Sequence, residues 1–138
     1  MAMTLVASLV LGASADAAKW RGKTRQGRGV SVHTGADGRV SFARIRYLAP
    51  CGDNKAMRAG VVFLPPLDHN SPTEFADAGP FRFRAGSERI RAWTRISGGL
   101  RRSGRWTGNF SIRLRVYRDG RFVTSCRLKR VGWKASPV

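Results

Sequence analysis

Acidic side chains are scarce in this sequence. Only 8 of the 138 residues are Asp or Glu, against 26 Lys or Arg, and the formal net charge is +18 at pH 7. A field of this sign disfavours cationic partners and favours nucleic acid, acidic polysaccharide, teichoic-type polymers or anionic lipid. The alternative is a composition rich in arginine that only solvates the surface, because a charged sheet face is usually a solvated face.

Histidine and cysteine are also rare, with two residues of each type. His33 and His69 lie in none of the motifs that mark zinc hydrolases or nucleophile elbows, and a zinc site needs three or four ligands. Asp68 is adjacent to His69, but no motif marks a nucleophile to accompany them. The sequence therefore predicts a protein that is not an enzyme, with no catalytic residues, no metal site and no cofactor.

Long apolar runs are absent. The run over residues 3–13, in MAMTLVASLVLGASADA, is shorter than the roughly 20 residues that a helix needs to cross a bilayer. Ala15-Asp16-Ala17 has small residues at the two positions that a signal peptidase reads, with Ala13-Ser14-Ala15 as a second choice. We therefore expect a signal peptide over residues 1–17, a single domain over residues 18–138, no transmembrane span, and a secreted or cell-envelope location.

Export determines how the two cysteines are interpreted. Disulfides form in oxidising compartments, so Cys51 and Cys126 are expected to be bonded to each other. A reactive thiol or a metal site would need partners at a recognisable spacing, and neither cysteine has them.

Residues 103–117, SGRWTGNFSIRLRVY, have the clearest periodicity in the chain. Over residues 105–116, apolar residues and one glycine occupy the even positions, and polar or basic residues occupy the odd ones. Successive side chains of a strand point to opposite faces, so one face is apolar and the other carries arginines. A helical period would scatter the same apolar groups around a cylinder. One apolar and one hydrated face indicate an antiparallel sheet over a core.

A hairpin follows this strand. Arg118-Asp119-Gly120 fits a three-residue loop that ends with glycine in the left-handed region. A two-residue Asp-Gly loop is less favoured, because it shifts the register by one and puts Arg127 opposite an apolar residue. The preferred register predicts four pairs on the apolar side: Val116 with Phe122, Leu114 with Thr124, Ile112 with Cys126, and Phe110 with Leu128.

Other segments also alternate like strands and are separated by turn residues. Ala36-Asp37-Gly38 predicts a hairpin that pairs Val32 with Phe42, with a β-bulge near Ala43 or Arg44. Residues 66–80 are expected to form a long surface loop, with at most a brief strand around Phe75, and Gly98-Gly99 to form a turn. The pattern predicts an all-β fold without helices, an antiparallel β-sandwich of roughly eight strands, with a small closed β-barrel as the alternative.

Arginines on successive segments supply the candidate binding surface. Their planar guanidinium groups suit phosphate and sulfate as well as carboxylate. If these segments are neighbours in the sheet, their outer faces merge into one cationic surface. The candidate anion-binding residues are Arg89, Arg91, Arg95, Arg105, Arg113, Arg115, Arg121 and Arg127, together with Lys129.

The four tryptophans differ in their phase on the predicted strands. Trp20, Trp106 and Trp133 lie in the apolar phase, which favours core packing. Trp93 lies in the opposite phase, next to arginines, and is a candidate exposed aromatic patch for nucleic acid or sugar. Stacking of Trp93 under an arginine is the alternative.

Short motifs at both ends of the domain resemble a known class of proteins. WxGxTxQG at residues 20–27, Gly108-x-Phe110, and the ending Cys126-x4-Val131-x-Trp133-x-Ala135 resemble small exported β domains common in actinobacteria. The resemblance covers nearly all of residues 18–138. It implies export and a β fold, and it implies no catalytic residues. The Trp-x-Gly opening is also similar to lipocalin- and avidin-like barrels.

The sequence thus predicts a secreted, non-catalytic β domain that binds an anionic polymer or a cell-envelope component through an arginine-rich sheet face. Nucleic acid fits the charge, although no nucleic-acid-binding motif is present. Two alternatives are a structural or protein-binding module whose charge is incidental, and a barrel that binds a small ligand in its cavity.

Overall fold

The computed structural model describes residues 18–138, and the predicted signal peptide over residues 1–17 lies outside them. The described chain is built from eight β-strands. They are β1 (Lys19–Thr24), β2 (Gly29–Thr34), β3 (Val40–Pro50), β4 (Ala56–Phe63), β5 (Glu74–Ala85), β6 (Glu88–Leu100), β7 (Trp106–Arg118) and β8 (Arg121–Pro137). No helix that could span a membrane occurs among these residues.

The eight strands form a single antiparallel sheet in the order β4-β3-β2-β1-β8-β7-β6-β5. Strands β1 to β4 and β5 to β8 are two meanders, and the pairing of β1 with β8 joins them. The sheet curls into a nearly closed barrel whose seam lies between the edge strands β4 and β5. The all-β antiparallel prediction is confirmed with the barrel architecture. The preferred two-sheet sandwich is corrected, because the β1–β8 ladder makes one continuous sheet.

Apolar faces of the strands fill the barrel interior. Tyr47 of β3 meets Phe110 of β7 across the core, with ring centroids 5.7 Å apart. Near one end, Phe75 contacts Trp106 and Trp133 at centroid distances of 5.7 and 6.1 Å. The even-numbered apolar positions of β7 are buried, as the alternation predicts. The interior is therefore packed with side chains.

Two glycines make room for the buried indole of Trp133. A Cβ atom on Gly108 would collide with the carbonyl oxygen of Ser97 and would lie 2.6 Å from the Trp133 ring. A Cβ atom on Gly98 would lie 2.7 Å from the same ring. The predicted turn at Gly98-Gly99 is therefore wrong: both glycines lie inside β6. The chain reverses after β6, over residues 101–105.

The β7–β8 hairpin has a two-residue loop, not the predicted three-residue loop. Asp119 and Gly120 have φ angles of 51° and 75°, and Arg118 pairs with Arg121. Two consecutive residues with positive φ define the type I′ turn that suits the twist of a hairpin.

A β-bulge corrects the phase directly after this turn. Tyr117 pairs with Phe122 on the outer face, and Val116 pairs with Thr124 on the inner face, so Val123 is the extra residue. Because of the bulge, a two-residue loop no longer puts Arg127 opposite an apolar residue: Arg127 pairs with Arg113. The predicted register is off by two residues for three of the four pairs and by three residues for Phe110, so Leu114 rather than Ile112 faces Cys126.

The β2–β3 hairpin also contains a bulge. The predicted turn over residues 36–38 is present, and Thr34 pairs with Val40. His33 then pairs with Phe42, so Ser41 is the extra residue, ahead of the predicted position. The predicted pair of Val32 with Phe42 is wrong, because the bulge turns Phe42 to the outer face.

The predicted long loop over residues 66–80 is shorter in the structure. Strand β5 begins at Glu74 and continues through Pro80, which lies opposite Trp93 of β6. Proline lacks the N–H group that an interior strand needs, and an edge strand such as β5 tolerates it. The residues of this segment are typical of turns, and for that reason the sequence did not predict an edge strand here.

Cys51 and Cys126 form a disulfide bond, as predicted, between residues 75 positions apart. Strands β1 and β2 have six residues each and are shorter than β3 and β8, which flank the pair. The end of β3 therefore meets β8 directly beyond them, where the Gly52 N–H donates to the Ser125 carbonyl oxygen at 3.0 Å.

Candidate anion-binding face

Three adjacent strands carry the basic residues that the sequence grouped together. On the outer face, Trp93 of β6 lies opposite Arg113 of β7, and Arg113 lies opposite Arg127 of β8. The next row contains Arg91 opposite Arg115. These side chains point outward because the alternate positions are buried, namely Ile90, Ala92, Ile112, Leu114 and Cys126.

A second bulge in β8 adds a cation to this face. Phe110 pairs with Val131 and Ile112 pairs with Leu128, so Lys129 and Arg130 both lie opposite the single residue Ser111. Both basic side chains are exposed. Strict alternation would have turned Arg130 inward, so the sequence pattern did not select it.

The outward residues surround an open groove of about 620 Å³. Its polar uncharged lining comes from Ser97, Asn109 and Ser111. No carboxylate of the described chain contributes to the lining. The exposed tryptophan and the charged lining residues, which we call the Trp93 face, are Trp93, Arg95, Arg113, Arg127, Lys129 and Arg130.

A second hollow of about 450 Å³ continues the groove along the same strands, beside Arg91, Arg115 and Ser125. It shares Trp93, Arg113 and Arg127 with the Trp93 face. The two hollows therefore form one elongated cationic surface across β6, β7 and β8.

Trp93 is the most exposed tryptophan in the described chain, with 44% of its surface accessible. The other three are held by the fold: Trp106 and Trp133 are buried, and the Trp20 indole nitrogen donates to the Gly104 carbonyl oxygen at 2.9 Å. Trp93 thus offers a ring face or edge to solvent beside several guanidinium groups.

Few of these cations are neutralised by the protein itself. Within residues 18–138, the one ion pair joins Arg118 to Glu88 at 2.6 Å, near the end of β7. Arg91 instead lies over the ring of Tyr117, with its guanidinium carbon 5.4 Å from the ring centroid. Unneutralised arginines raise the local positive potential and favour an anionic ligand.

The structure brings together five of the eight predicted arginines: Arg91, Arg95, Arg113, Arg115 and Arg127. Arg89 is on the same outer face, opposite Tyr117 and therefore closer to the β7–β8 turn. Arg105 precedes β7 and Arg121 follows it, so these two lie at opposite ends of a 13-residue strand. Arg105 and Arg121 are therefore separated from the central rows.

Another group of arginines was missed in the sequence. Arg28, Arg44, Arg46 and Arg58 line a separate hollow of about 530 Å³ on the outer face of β3 and β4. Arg44 and Arg46 alternate with buried Ala43, Ile45 and Tyr47, which is the same signal that identified the arginines of β7. Arg28 lies in a turn, and only its tertiary contacts place it there.

The two histidines lie apart from each other. His33 is on the outer face beside Phe42, with ring centroids 4.8 Å apart, and burial together with Lys19 and Arg21 lowers its pKa. The Nδ1 atom of His69 lies 3.1 Å from the Glu74 carbonyl oxygen. Among the described residues, no three His, Cys, Asp or Glu side chains are grouped in a way that could hold a metal ion.

Fold and surface together define an eight-stranded, disulfide-bonded antiparallel β protein with a cationic outer face. Comparison of the chain with protein-family models, curated proteins and solved structures finds no significant match. The resemblance to small exported β domains therefore stays a sequence-based expectation, and the proposed function depends on the site.

Proposed function

We propose that the protein is exported, is not an enzyme, and binds an anionic polymer of the cell envelope or the extracellular space through the Trp93 face. The observation that carries this proposal is the composition of the groove. Five cations and one exposed tryptophan surround it, and no carboxylate of the described chain lines it. The disulfide and the predicted signal peptide support an extracellular location.

The shape of the surface favours a polymer over a small anion. The groove and the adjoining hollow run across three strands, about 10 Å in the hydrogen-bonding direction and further along the strands. A chain of repeating anionic groups can contact several arginines at once, whereas one small ion can contact few. Arginine also forms paired hydrogen bonds with phosphate, sulfate and carboxylate groups.

The principal alternative is a structural or protein-binding module whose charge is incidental. One observation favours it: exposed arginines also occur on β3 and β4, so positive charge is not confined to the Trp93 face. A barrel with an internal ligand has less support, since side chains fill the interior. A hollow with apolar surroundings lies instead at the seam, where Phe81 and Phe83 stack with centroids 5.5 Å apart.

The test is a binding series with the full chain in its oxidised form. DNA, heparin and teichoic acid are titrated at several salt concentrations, and the slope of log K against log salt is measured for each. The Arg113→Ala/Arg127→Ala double variant removes two central cations. If each contacts a DNA phosphate, the slope for DNA should fall by about 1.4 to 1.8.

A matched control removes the same charge elsewhere. Arg39 and Arg102 are exposed residues in turns outside the groove, so Arg39→Ala/Arg102→Ala should change the slope little. One polymer that stays bound at physiological salt, and is lost only in the groove variant, supports the proposal. Equal losses in both variants, with no binding at physiological salt, contradict it and favour the protein-binding alternative.

A further inference from the structure

The outer face of β3 and β4 carries four arginines that we call the Arg46 cluster: Arg28, Arg44, Arg46 and Arg58. They surround a hollow of about 530 Å³ whose remaining lining is Ala59, Gly60 and Val62. As on the Trp93 face, no carboxylate of the described chain lines it. Four like charges around one hollow repel each other, and an anion between them relieves that repulsion.

The register staggers the three strand arginines around a glycine. Arg46 lies opposite Gly60, Arg44 opposite Val62, and Arg58 opposite Leu48. None of these three arginines faces another directly, yet all three point to the same side of the sheet. A Cβ atom on Gly60 would lie 3.5 Å from the Cγ atom of Arg46, so the glycine lets the Arg46 side chain lie close over β4 at the centre of the group.

The β1–β2 turn brings the fourth arginine to this hollow. The side-chain amide of Gln26 donates to the Leu48 carbonyl oxygen at 2.9 Å and accepts from the Leu48 N–H at 3.2 Å. The Thr24 hydroxyl oxygen accepts hydrogen bonds from the backbone N–H groups of Gln26 and Arg28. These contacts fix the turn against β3, and Arg28 is held with it.

Arg28 has a donor that the protein does not use. Its Nε atom is buried and has no hydrogen-bond partner among the described residues. A buried polar group without a partner costs roughly 1–3 kcal/mol, and more when it is charged. An oxyanion in the hollow can accept from this donor once the Arg28 side chain shifts toward it, and the bond removes the cost.

The Arg46 cluster is separate from the Trp93 face. Tyr47 and Phe110 project from β3 and β7 into the core and meet there. The outer faces of those two strands therefore point away from each other, on opposite sides of the barrel.

We propose that the Arg46 cluster binds a single phosphate or sulfate group, independently of the Trp93 face. Arg44, Arg46 and Arg58 supply charge from β3 and β4, and Arg28 supplies a donor that the protein leaves unused. The tetrahedral arrangement of oxygens lets several planar guanidinium groups donate at once.

The test is an NMR titration of the arginine Nε–Hε signals in the ¹⁵N-labelled, oxidised full chain. The probes are inorganic phosphate and inorganic sulfate, added at constant ionic strength. We expect the four cluster signals to saturate with one common dissociation constant, while the signals of Arg39 and Arg102 change little. Linear, non-saturating shifts of all arginines would show simple screening and overturn the proposal.

Variants separate this site from general charge effects. Arg28→Ala and Arg46→Ala should each weaken phosphate binding at least about tenfold, as expected when a charge-assisted hydrogen bond is lost. The charge-matched Arg39→Ala variant should bind as the unchanged protein does. In the Gln26→Ala variant the β1–β2 turn is no longer held against β3. The Arg28 signal should then stop responding to phosphate, while the Arg46 signal still shifts on phosphate addition.

Two competition experiments identify the source of the phosphate group that binds the Arg46 cluster. In one, soluble polyphosphate is added to the protein with inorganic phosphate bound; in the other, phosphatidylcholine vesicles that contain phosphatidic acid are added. The competitor that displaces inorganic phosphate from the cluster identifies the source of the group. The Arg113→Ala/Arg127→Ala variant should retain phosphate binding at the cluster. Failure of the Trp93 face to bind a polymer is therefore distinguishable from failure of this site. Equal phosphate affinity in Arg46→Ala and the unchanged protein would refute the assignment.

Discussion

Trp93 of β6 and Arg113 of β7 are direct cross-strand neighbours on the outer face of the barrel. Side chains in this position lie about 5 Å apart at Cβ. A flat apolar ring and a guanidinium group are thus presented together, and a ligand that carries both a ring and an anionic group can contact both. Nucleotides and acidic sugars have this chemistry.

Replacement of Trp93 by alanine should weaken binding of single-stranded DNA by about 5- to 150-fold, the range that loss of one stacked base contributes. The reason is that the other tryptophans are packed in the fold and cannot substitute for it. Phe122→Ala is the matched control, since Phe122 is also exposed but lies near the β7–β8 turn. Equal affinities of the unchanged protein and Trp93→Ala would exclude a stacking role.

Replacement of Gly108 by alanine should destabilise the barrel by about 3 kcal/mol or more, because the new methyl group would collide with the Ser97 carbonyl oxygen and the Trp133 ring. Gly79→Ala is the control: it lies in edge strand β5, and its new methyl group would meet no heavy atom of the described chain within 4 Å. Urea unfolding followed by tryptophan fluorescence measures both. A Gly108→Ala protein as stable as the control would show that β6 and β7 can separate locally.

Tyr47 should make stability fall at alkaline pH. Burial raises the pKa of its phenol to about 12, whereas the unfolded chain loses this proton near pH 10. Between these values the unfolded state is favoured by ionisation, so stability is complete below about pH 10 and decreases as pH rises.

The Tyr47→Phe variant isolates this contribution. Its alkaline loss of stability should be smaller, as measured by thermal unfolding from about pH 8 to 11, the range that spans the ordinary tyrosine pKa. At neutral pH the variant should be as stable as the unchanged protein or more stable by about 1 kcal/mol, because the buried hydroxyl has no hydrogen-bond partner in the described chain. A clear loss of stability at neutral pH would show that the hydroxyl is bonded, for example to a buried water.

The Cys51→Ala/Cys126→Ala variant should lose about 4 kcal/mol of unfolding free energy, the loop-entropy value for residues 75 positions apart. The bond ties the end of β3 to β8, the strand that carries Arg127. Denaturant unfolding of the unchanged protein with and without a reducing agent gives the same comparison without mutation. If reduction leaves stability unchanged, the Gly52–Ser125 contact holds the two strands by itself.

Local patterns in the sequence were sufficient for the faces of β6 and β7, and the predicted export together with a count of two cysteines was sufficient for the disulfide. The register of β8 was not predictable from them, because bulges at Val123 and at Lys129-Arg130 depend on how a partner strand accommodates an extra residue. Arg130 joined the site only through such a bulge. Each bulge moves a residue to the other face, which strict alternation cannot represent.

Barrel and sandwich could not be separated for a similar reason. The choice depends on whether β1 pairs with β8, and these strands are at opposite ends of the described chain. Arg28 was missed because its position depends on the contact between Gln26 and Leu48, residues 22 positions apart. Periodicity reports which face a residue occupies, and it does not report which distant strands meet.

The β1–β8 pairing also has a consequence for the order of the strands along the chain. The Val138 N–H donates to the Lys19 carbonyl oxygen at 3.0 Å, so the two ends of the described chain are adjacent. A circular permutant with these ends linked and a new opening between β4 and β5 would pair every strand with its immediate neighbour in sequence. Such a chain has a lower contact order and should fold faster into the same barrel. The native connectivity therefore governs the speed of assembly more than the architecture that is assembled.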